Sequence, residues 1–188
     1  MNTNITTDRL TLRPFTLEDA PRVRKLAGDY EVARMCGTVP HPYPEGVAEE
    51  WIAKHEGWRA QGVAYPFAIE VGGELMGSIG VGKERFGEHE LGYWLGQAFW
   101  GHGFATEAVR AALTFAFDEL EMAYVRARHI SDNRASARVL GKVGFLATER
   151  IRKLHAVRGT EIELTLMVLP GNAFLRDGGP WEKVYKAA

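Results

Sequence analysis

Residues 91–145 decide the fold of this chain, and they read LGYWLGQAFWGHGFATEAVRAALTFAFDELEMAYVRARHISDNRASARVLGKVGF. The pattern predicts a strand, a glycine-bearing turn, a helix, a strand and a second helix. At the centre, Trp100 to Thr106 form a turn whose glycines lead directly into a helix. The first N–H groups of a helix have no intrahelical acceptor, and the helix dipole is positive there. The turn therefore predicts an anion-binding site.

The elements of this block set the centre of a sheet. Hydrophobic periodicity predicts strands over residues 89–95 and 124–129 and helices over residues 104–120 and 133–142. Because a helix joins the two strands, we expect them to run parallel through a right-handed crossover. Gly92 inside the first strand predicts either a bulge or the close approach of a ligand to the backbone.

The flanking sequence adds antiparallel strands and helices. Strands are predicted over residues 9–15, 66–71, 75–81, 146–153 and 161–169, helices over 17–27 and 45–61, and loops at Pro40–Pro44 and over 82–88. We expect an α/β fold, or α+β in some schemes. The pattern predicts a single domain over residues 1–169 with a mixed, mostly antiparallel sheet, one central parallel strand pair and helices on both faces. Residues 170–188, with Gly178-Gly179-Pro180, are predicted to form an irregular C-terminal tail.

Composition narrows the function. The net charge of −1 does not favour a nucleic-acid or acidic-membrane partner, and no apolar run reaches the ~18 residues of a membrane span. The N-terminus lacks a signal-peptide pattern. The single cysteine, Cys36, excludes an internal disulfide and a cysteine-based zinc site, and the histidines show no metal-ligand spacing. We therefore expect a cytoplasmic protein without a metal.

Several motifs carry a family resemblance: Leu91-Gly-Tyr-Trp-Leu95, Trp100-Gly-His-Gly-Phe-Ala-Thr-Glu-Ala108, Asn133-Arg-Ala-Ser136, Val139-Leu140-Gly-Lys-Val-Gly-Phe145, Thr7-Asp-Arg-Leu-Thr-Leu-Arg-Pro14 and Arg158-Gly159. In order and spacing the chain resembles the GNAT N-acetyltransferase superfamily, and more narrowly its RimJ/RimL-type branch. The resemblance implies acetyl-CoA as co-substrate and a primary amine as acceptor. That amine is either a protein N-terminus or a small amine or amino acid. Monomer and homodimer both stay open.

The resemblance also assigns cofactor contacts. It implies that backbone N–H groups hold the pyrophosphate of coenzyme A, from His102, Gly103, Phe104, Ala105 and Thr106. Leu95 is implied to pair through its backbone with the pantetheine arm, and Ser136 to contact the cofactor close to its sulfur. Asn133 is a candidate both to cap a helix and to contact the cofactor, with capping alone as the alternative.

Ser136 and Glu90 are the leading candidates for proton transfer. Many superfamily members use a tyrosine as the general acid at the position where this chain has Leu140. Because that tyrosine is absent here, the resemblance makes Ser136 the leading candidate to protonate the departing thiolate. Glu90 is the first candidate for the base that accepts the proton of the amine, with His155 and Glu163 as second choices. A plain helix serine and a strand-surface carboxylate are the alternative interpretations.

Tyr43 is predicted to face the acceptor. Tyr93 and Trp94 alternate sides of their strand, so one of them, Trp94, is a candidate for the acceptor pocket, although core packing is the favoured interpretation of both. No cysteine lies in the central block, so direct transfer in a ternary complex is expected. Two other functions stay open. One is a non-catalytic acyl-CoA-binding module or sensor. The other is a dinucleotide-binding oxidoreductase. The presence of Thr106 in place of the third glycine of the dinucleotide-binding fingerprint argues against it.

Overall fold

The computed structural model describes residues 4–83 and 88–174, which build one eight-stranded sheet in the order β1-β2-β3-β4-β5-β6-β8-β7. The strands are β1 (Ile5–Thr6), β2 (Thr11–Arg13), β3 (Ala64–Val71), β4 (Glu74–Lys83), β5 (His89–Leu95), β6 (Tyr124–Ile130), β7 (Leu146–His155) and β8 (Thr160–Pro170). Only β5 and β6 pair in parallel, and all other neighbours are antiparallel. The mixed α/β fold with a central parallel pair is confirmed.

The helices are α1 (Ala20–Ala27), α2 (Tyr30–Ala33), α3 (Val47–Ala53), α4 (His55–Ala60), α5 (Phe104–Thr114) and α6 (Arg134–Lys142). The helix expected over residues 45–61 is wrong in its continuity. At Lys54 the backbone N–H bonds the carbonyl of Trp51, three residues back, so α3 ends in a tight turn before α4. The helix expected over 104–120 ends at Thr114 and continues as a π-helical segment, Phe115–Glu119.

Helices cover both faces of the sheet because β3 is apolar on both sides. Phe67 and Ile69 belong to the core under α5, whereas Ala68, between them, packs with the cluster of α1 and α3. Successive side chains of β3 therefore pack into two different hydrophobic cores, one on each face of the sheet. The described part of the chain has no helix long and apolar enough to cross a membrane.

Of the two alternatives for Gly92, the structure excludes the bulge: Gly92 lies in register opposite Gly80, and the register shifts occur at Ile69/Glu70 and Ala147/Glu149. Two other expectations change at the ends of strands. Strand β4 continues through Lys83, which shortens the expected charged loop, and residues 84–87 lie outside the described residues. Beyond β8, Gly171–Ala173 form a 3-10 turn, and Phe174 packs against Phe117 with ring centroids 5.3 Å apart. The rest of the predicted tail, residues 175–188, lies outside the described residues.

The parallel pair is short. It joins Glu90 to Arg126 and Leu91 to Ala127, and the described residues show no pairing beyond these positions. The carboxyl ends of β5 and β6 are therefore separate, which opens the sheet at its centre.

Candidate active site

A cavity of about 1040 Å³ lies where β5 and β6 separate. Its walls include the beginning of α5, α6, the loop after α2 and the four adjacent strands β3 to β6. The predicted site residues that line it are Tyr43, Glu90, Trp94, Leu95, Gly103, Phe104, Ala105, Thr106, Asn133 and Ser136. The tertiary structure thus brings together residues that are far apart in the sequence.

The turn before α5 forms one end of the cavity. Gly101 and Gly103 both have φ of +82°, a conformation that side chains disfavour, and Gly103 is the N-cap of α5. In the described residues, the N–H groups at positions 104–106 donate no backbone hydrogen bond. The indole N–H of Trp100 donates to the carbonyl of Leu95 at 2.8 Å, which ties the turn to the end of β5. The result is a row of backbone donors at a fixed place.

His102 takes a different position from the rest of the turn. Its ring is exposed and stacks on the ring of Phe104, with centroids 5.8 Å apart, and it is not among the residues that line the cavity. Its carbonyl accepts a hydrogen bond from Arg9 at 3.0 Å. Of the predicted pyrophosphate residues, His102 alone keeps its side chain away from the cavity.

Tyr93 reaches the predicted acid. Its hydroxyl lies 2.9 Å from the Oγ of Ser136, whose backbone N–H donates to Oδ1 of Asn133 at 3.0 Å. Burial raises the pKa of Tyr93 to about 12, against the opposing effect of the bond to Ser136 and with a further contribution from Cys36. The phenol is therefore protonated at neutral pH. Sequence reasoning favoured core packing for Tyr93, because its alternation with Leu91 and Leu95 shows burial and not a partner.

Helix α6 carries a basic row that the sequence analysis missed. Arg134, Arg138 and Lys142 are exposed, line the cavity and have no ion pair among the described residues. Their spacing of four residues places them on one side of the helix, and that spacing was the available signal. The row adds positive charge to the cavity wall.

The opposite face of the sheet forms a trough. Residues directly opposed in a ladder share a face, and Pro66, Gly80 and Gly92 are successive partners across β3, β4 and β5. Gly92 is exposed, and a Cβ added there would meet no atom within 4 Å. Because its floor carries almost no side chain, the central strand leaves room for a ligand.

Charge and aromatic rings border this trough. Glu90 lies two residues before Gly92 on the same face of β5, and its Oε1 is 2.8 Å from Nε of Arg128. Four half-buried aromatic side chains line the same cavity, and they are Tyr43, Trp51, Trp58 and Trp94. The trough combines a carboxylate with flat apolar walls.

The second-choice bases do not line the cavity. His155 is buried, and its Nε2 lies 2.9 Å from the carbonyl of Cys36, while Glu163 pairs with Arg150 at 3.4 Å.

Arg158 is another residue whose structural partners the sequence did not reveal. It binds both carboxylate oxygens of Asp132, at 2.6 and 3.2 Å, and donates to the carbonyl of Arg34 at 2.9 Å. These bonds hold the pKa of Asp132 below its usual value, against the opposing effect of burial. Arg158 therefore fixes the segment after α2 to the beginning of α6, and both form cavity wall.

Known proteins share this architecture. The chain is 29% identical over 167 residues to the uncharacterized N-acetyltransferase p20 of Bacillus licheniformis, covering 87% of this chain and 93% of that protein. RimJ of Mycobacterium smegmatis, solved in complex with CoA-disulfide, superposes with a TM-score of 0.79 at 21% identity, covering 94% and 89% of the two chains. RimL, a ribosomal L7/L12 alpha-N-protein acetyltransferase solved with coenzyme A, gives 0.81 at 16% identity, covering 91% and 99%.

The structural likenesses show a common fold. The family model for the acetyltransferase (GNAT) domain matches residues 9–146, which is most of the chain. The chain therefore belongs to the GNAT acetyltransferase family.

Proposed function

We propose that this protein transfers the acetyl group of acetyl-CoA to a primary amine by direct attack in a ternary complex. The observation that carries the proposal is one continuous cavity. It joins a row of backbone donors on one side of the sheet to a trough with a carboxylate on the other.

Coenzyme A fits the first side. Its pyrophosphate takes the N–H groups of Gly103, Phe104, Ala105 and Thr106, because a helix N-terminus favours anions. The basic row of α6 (Arg134, Arg138 and Lys142) supplies charge to the phosphates. The pantetheine arm lies between β5 and β6, beside the backbone of Leu95. Both solved neighbours are complexes of coenzyme A or its disulfide, which supports coenzyme A as the ligand of this fold.

The reaction needs two proton transfers. The lone pair of the amine nitrogen attacks the thioester carbonyl carbon, and a backbone N–H near Leu95 stabilises the oxyanion. The C–S bond then breaks, and the departing thiolate takes the proton of the Ser136 hydroxyl as that hydroxyl takes a proton from solvent, while the hydrogen bond to Tyr93 orients it. Glu90 accepts the proton that the amine loses, through a water molecule. No covalent acetyl-enzyme forms.

The acceptor enters along the trough. A protein or peptide N-terminus and a small amine or amino acid both present the required primary amine. An α-amine has a pKa of about 7.7–8.0, so a substantial fraction is neutral near pH 7.5 and little base strength is needed. The aromatic walls suit an acceptor with an apolar group beside its amine.

Calorimetric titration with acetyl-CoA tests the cofactor, and a wild type that does not bind it would refute the proposal. A panel of N-terminal peptides beside free amines, followed by release of coenzyme A, then identifies the acceptor. With that acceptor, Glu90→Gln and Ser136→Ala should each slow single-turnover acetyl transfer. If neither did, the catalytic roles would be wrong and a non-catalytic acyl-CoA-binding protein would be the better description.

A further inference from the structure

Arg9, at the N-terminal edge of the sheet, holds the turn that precedes α5. Its Nη1 donates to the carbonyl of His102 at 3.0 Å, and its Nε donates to Oε2 of Glu107 at 2.7 Å. The backbone N–H of Arg9 and the hydroxyl of Thr7 both donate to Oε1 of Glu107, at 3.0 and 2.6 Å. The guanidinium also lies over the ring of Phe104, 4.7 Å from its centroid. One residue thus contacts both sides of the turn.

The bond to His102 fixes the direction of a backbone donor. The C=O and N–H groups of a trans peptide point in opposite directions. When Arg9 holds the carbonyl of His102 from outside, the N–H of Gly103 points the other way, toward the cavity that Gly103 lines. The peptide lies between Gly101 and Gly103, which both have positive φ, so the chain itself does little to prevent its rotation.

The bonds to Glu107 remove a second obstacle. Glu107 stands in the first turn of α5, where an unpaired carboxylate would repel a phosphate group. It is instead saturated by Arg9 and Thr7. Burial alone would raise the pKa of Glu107, but the hydrogen bonds from Thr7 and Arg9 outweigh that effect and lower it. The carboxylate therefore stays charged, and its charge is directed at Arg9.

We propose that Arg9 is a positioning residue for the pyrophosphate of acetyl-CoA: it orients the Gly103 N–H toward the phosphate and pairs with the nearby charge of Glu107. The inference rests on the proposed function. Arg9 itself does not touch the reacting atoms.

The test compares two ligands in two matched variants. Arg9→Ala should weaken binding of acetyl-CoA by about tenfold, the size expected for losing a charged hydrogen bond. Binding of acetyl-pantetheine, which keeps the thioester arm and lacks the pyrophosphate, should not change. Arg22→Ala is the control, because Arg22 also joins a carboxylate, that of Glu74, to a backbone carbonyl, that of Leu75. Neither of its partners lines the cavity, so both ligands should bind it as they bind the wild type.

Calorimetry measures the Kd of acetyl-CoA, and ligand-observed NMR measures the Kd of acetyl-pantetheine. If Arg9→Ala does not fold, Arg9→Lys replaces it. A lysine keeps the charge, but its single ammonium does not span both the His102 carbonyl and the Glu107 carboxylate as the guanidinium fork does, so the same selective loss is expected. Unchanged acetyl-CoA binding, or equal losses for both ligands, would overturn the inference. A wild type that fails to bind acetyl-CoA would instead refute the proposed function.

Discussion

The hydroxyl of Tyr93 lies 2.9 Å from the Oγ of Ser136, so the central strand β5 and the helix α6 meet at one hydrogen bond inside the cavity. The bond fixes the rotamer of a serine whose backbone is already held by the Asn133 cap. A serine held on both sides is oriented before any ligand enters, which is what a proton donor requires.

Ser136→Ala should lower kcat by about 10²-fold, the lower range for loss of a general acid. Tyr93→Phe should lower it by only about fivefold, because one neutral hydrogen bond contributes ~1 kcal/mol. Since the pKa of Tyr93 is about 12, its ionisation should leave no step in the rate between pH 7 and 10. Steady-state kinetics from pH 7 to 10 measures kcat for the wild type and both variants. A larger decrease in kcat for Tyr93→Phe than for Ser136→Ala would reverse the assigned roles.

The basic row of α6 should act on cofactor binding. Arg138→Ala should raise the Kd of acetyl-CoA by about fivefold and flatten its dependence on salt, since an exposed cation acts through a screened charge. Lys25→Ala removes an exposed lysine outside this cavity and should leave the Kd unchanged. Calorimetry at two salt concentrations checks both, and equal effects of the two substitutions would argue against a local contact.

Gly92 should control the acceptor. A side chain at this position enters open space, so Gly92→Val should fold normally and occupy the trough. Steric overlap of ~1–3 kcal/mol should reduce kcat/KM for the amine by about tenfold or more, with a smaller loss in Gly92→Ala. The Kd of acetyl-CoA should stay at the wild-type value. If both variants kept full activity, the acceptor would have to take another path.

His55 should make the stability of the fold depend on pH. It is buried and packs against Trp51 with ring centroids 4.3 Å apart, and neither ring nitrogen has a hydrogen-bond partner among the residues that the structure describes. Burial, and then the charge of Arg59, lower its pKa from 6.5 to about 4. Between pH 6.5 and about pH 4, His55 is protonated in the unfolded chain and neutral in the folded protein. Stability is therefore present above pH 6.5 and is lost as the pH falls toward 4.

The expected loss from this one histidine is up to about 3 kcal/mol of unfolding free energy. His55→Leu should remove that part of the pH dependence and keep the packing. Urea unfolding at pH 7 and pH 5 measures it for both proteins. If the unfolding free energy of His55→Leu decreased from pH 7 to pH 5 as much as that of the wild type, the pH dependence would belong to other groups.

Cys36 should be dispensable for the chemistry. Burial raises the pKa of its thiol to about 12, so almost none of it is the nucleophilic thiolate at neutral pH. Cys36→Ala should keep kcat within about twofold of the wild type, because direct transfer uses no enzyme nucleophile. An acetylated Cys36 detected by mass spectrometry after mixing with acetyl-CoA would contradict this expectation.

Hydrophobic periodicity and the positions of glycines predict much of the secondary structure. The strand at residues 89–95 was predicted with the bounds that β5 has, and the N-terminal donors of α5 follow from two glycines and a helical pattern. The break at Lys54 was missed because apolar spacing continues through it. Periodicity registers which side of a helix is buried, but it does not register a change in backbone hydrogen bonding.

The amino-acid sequence predicts most of the strands and helices, the turn that presents backbone donors, and the glycine at the centre of β5. Which distant side chains meet depends on the tertiary structure: Tyr93 meets Ser136, 43 residues apart, Arg9 meets the His102 carbonyl, 93 apart, and Arg158 meets Asp132, 26 apart. Caps and alternation depend on neighbours within one helical turn or one strand. Contacts between distant residues depend on sheet order and ladder register, which arise when the whole core is packed.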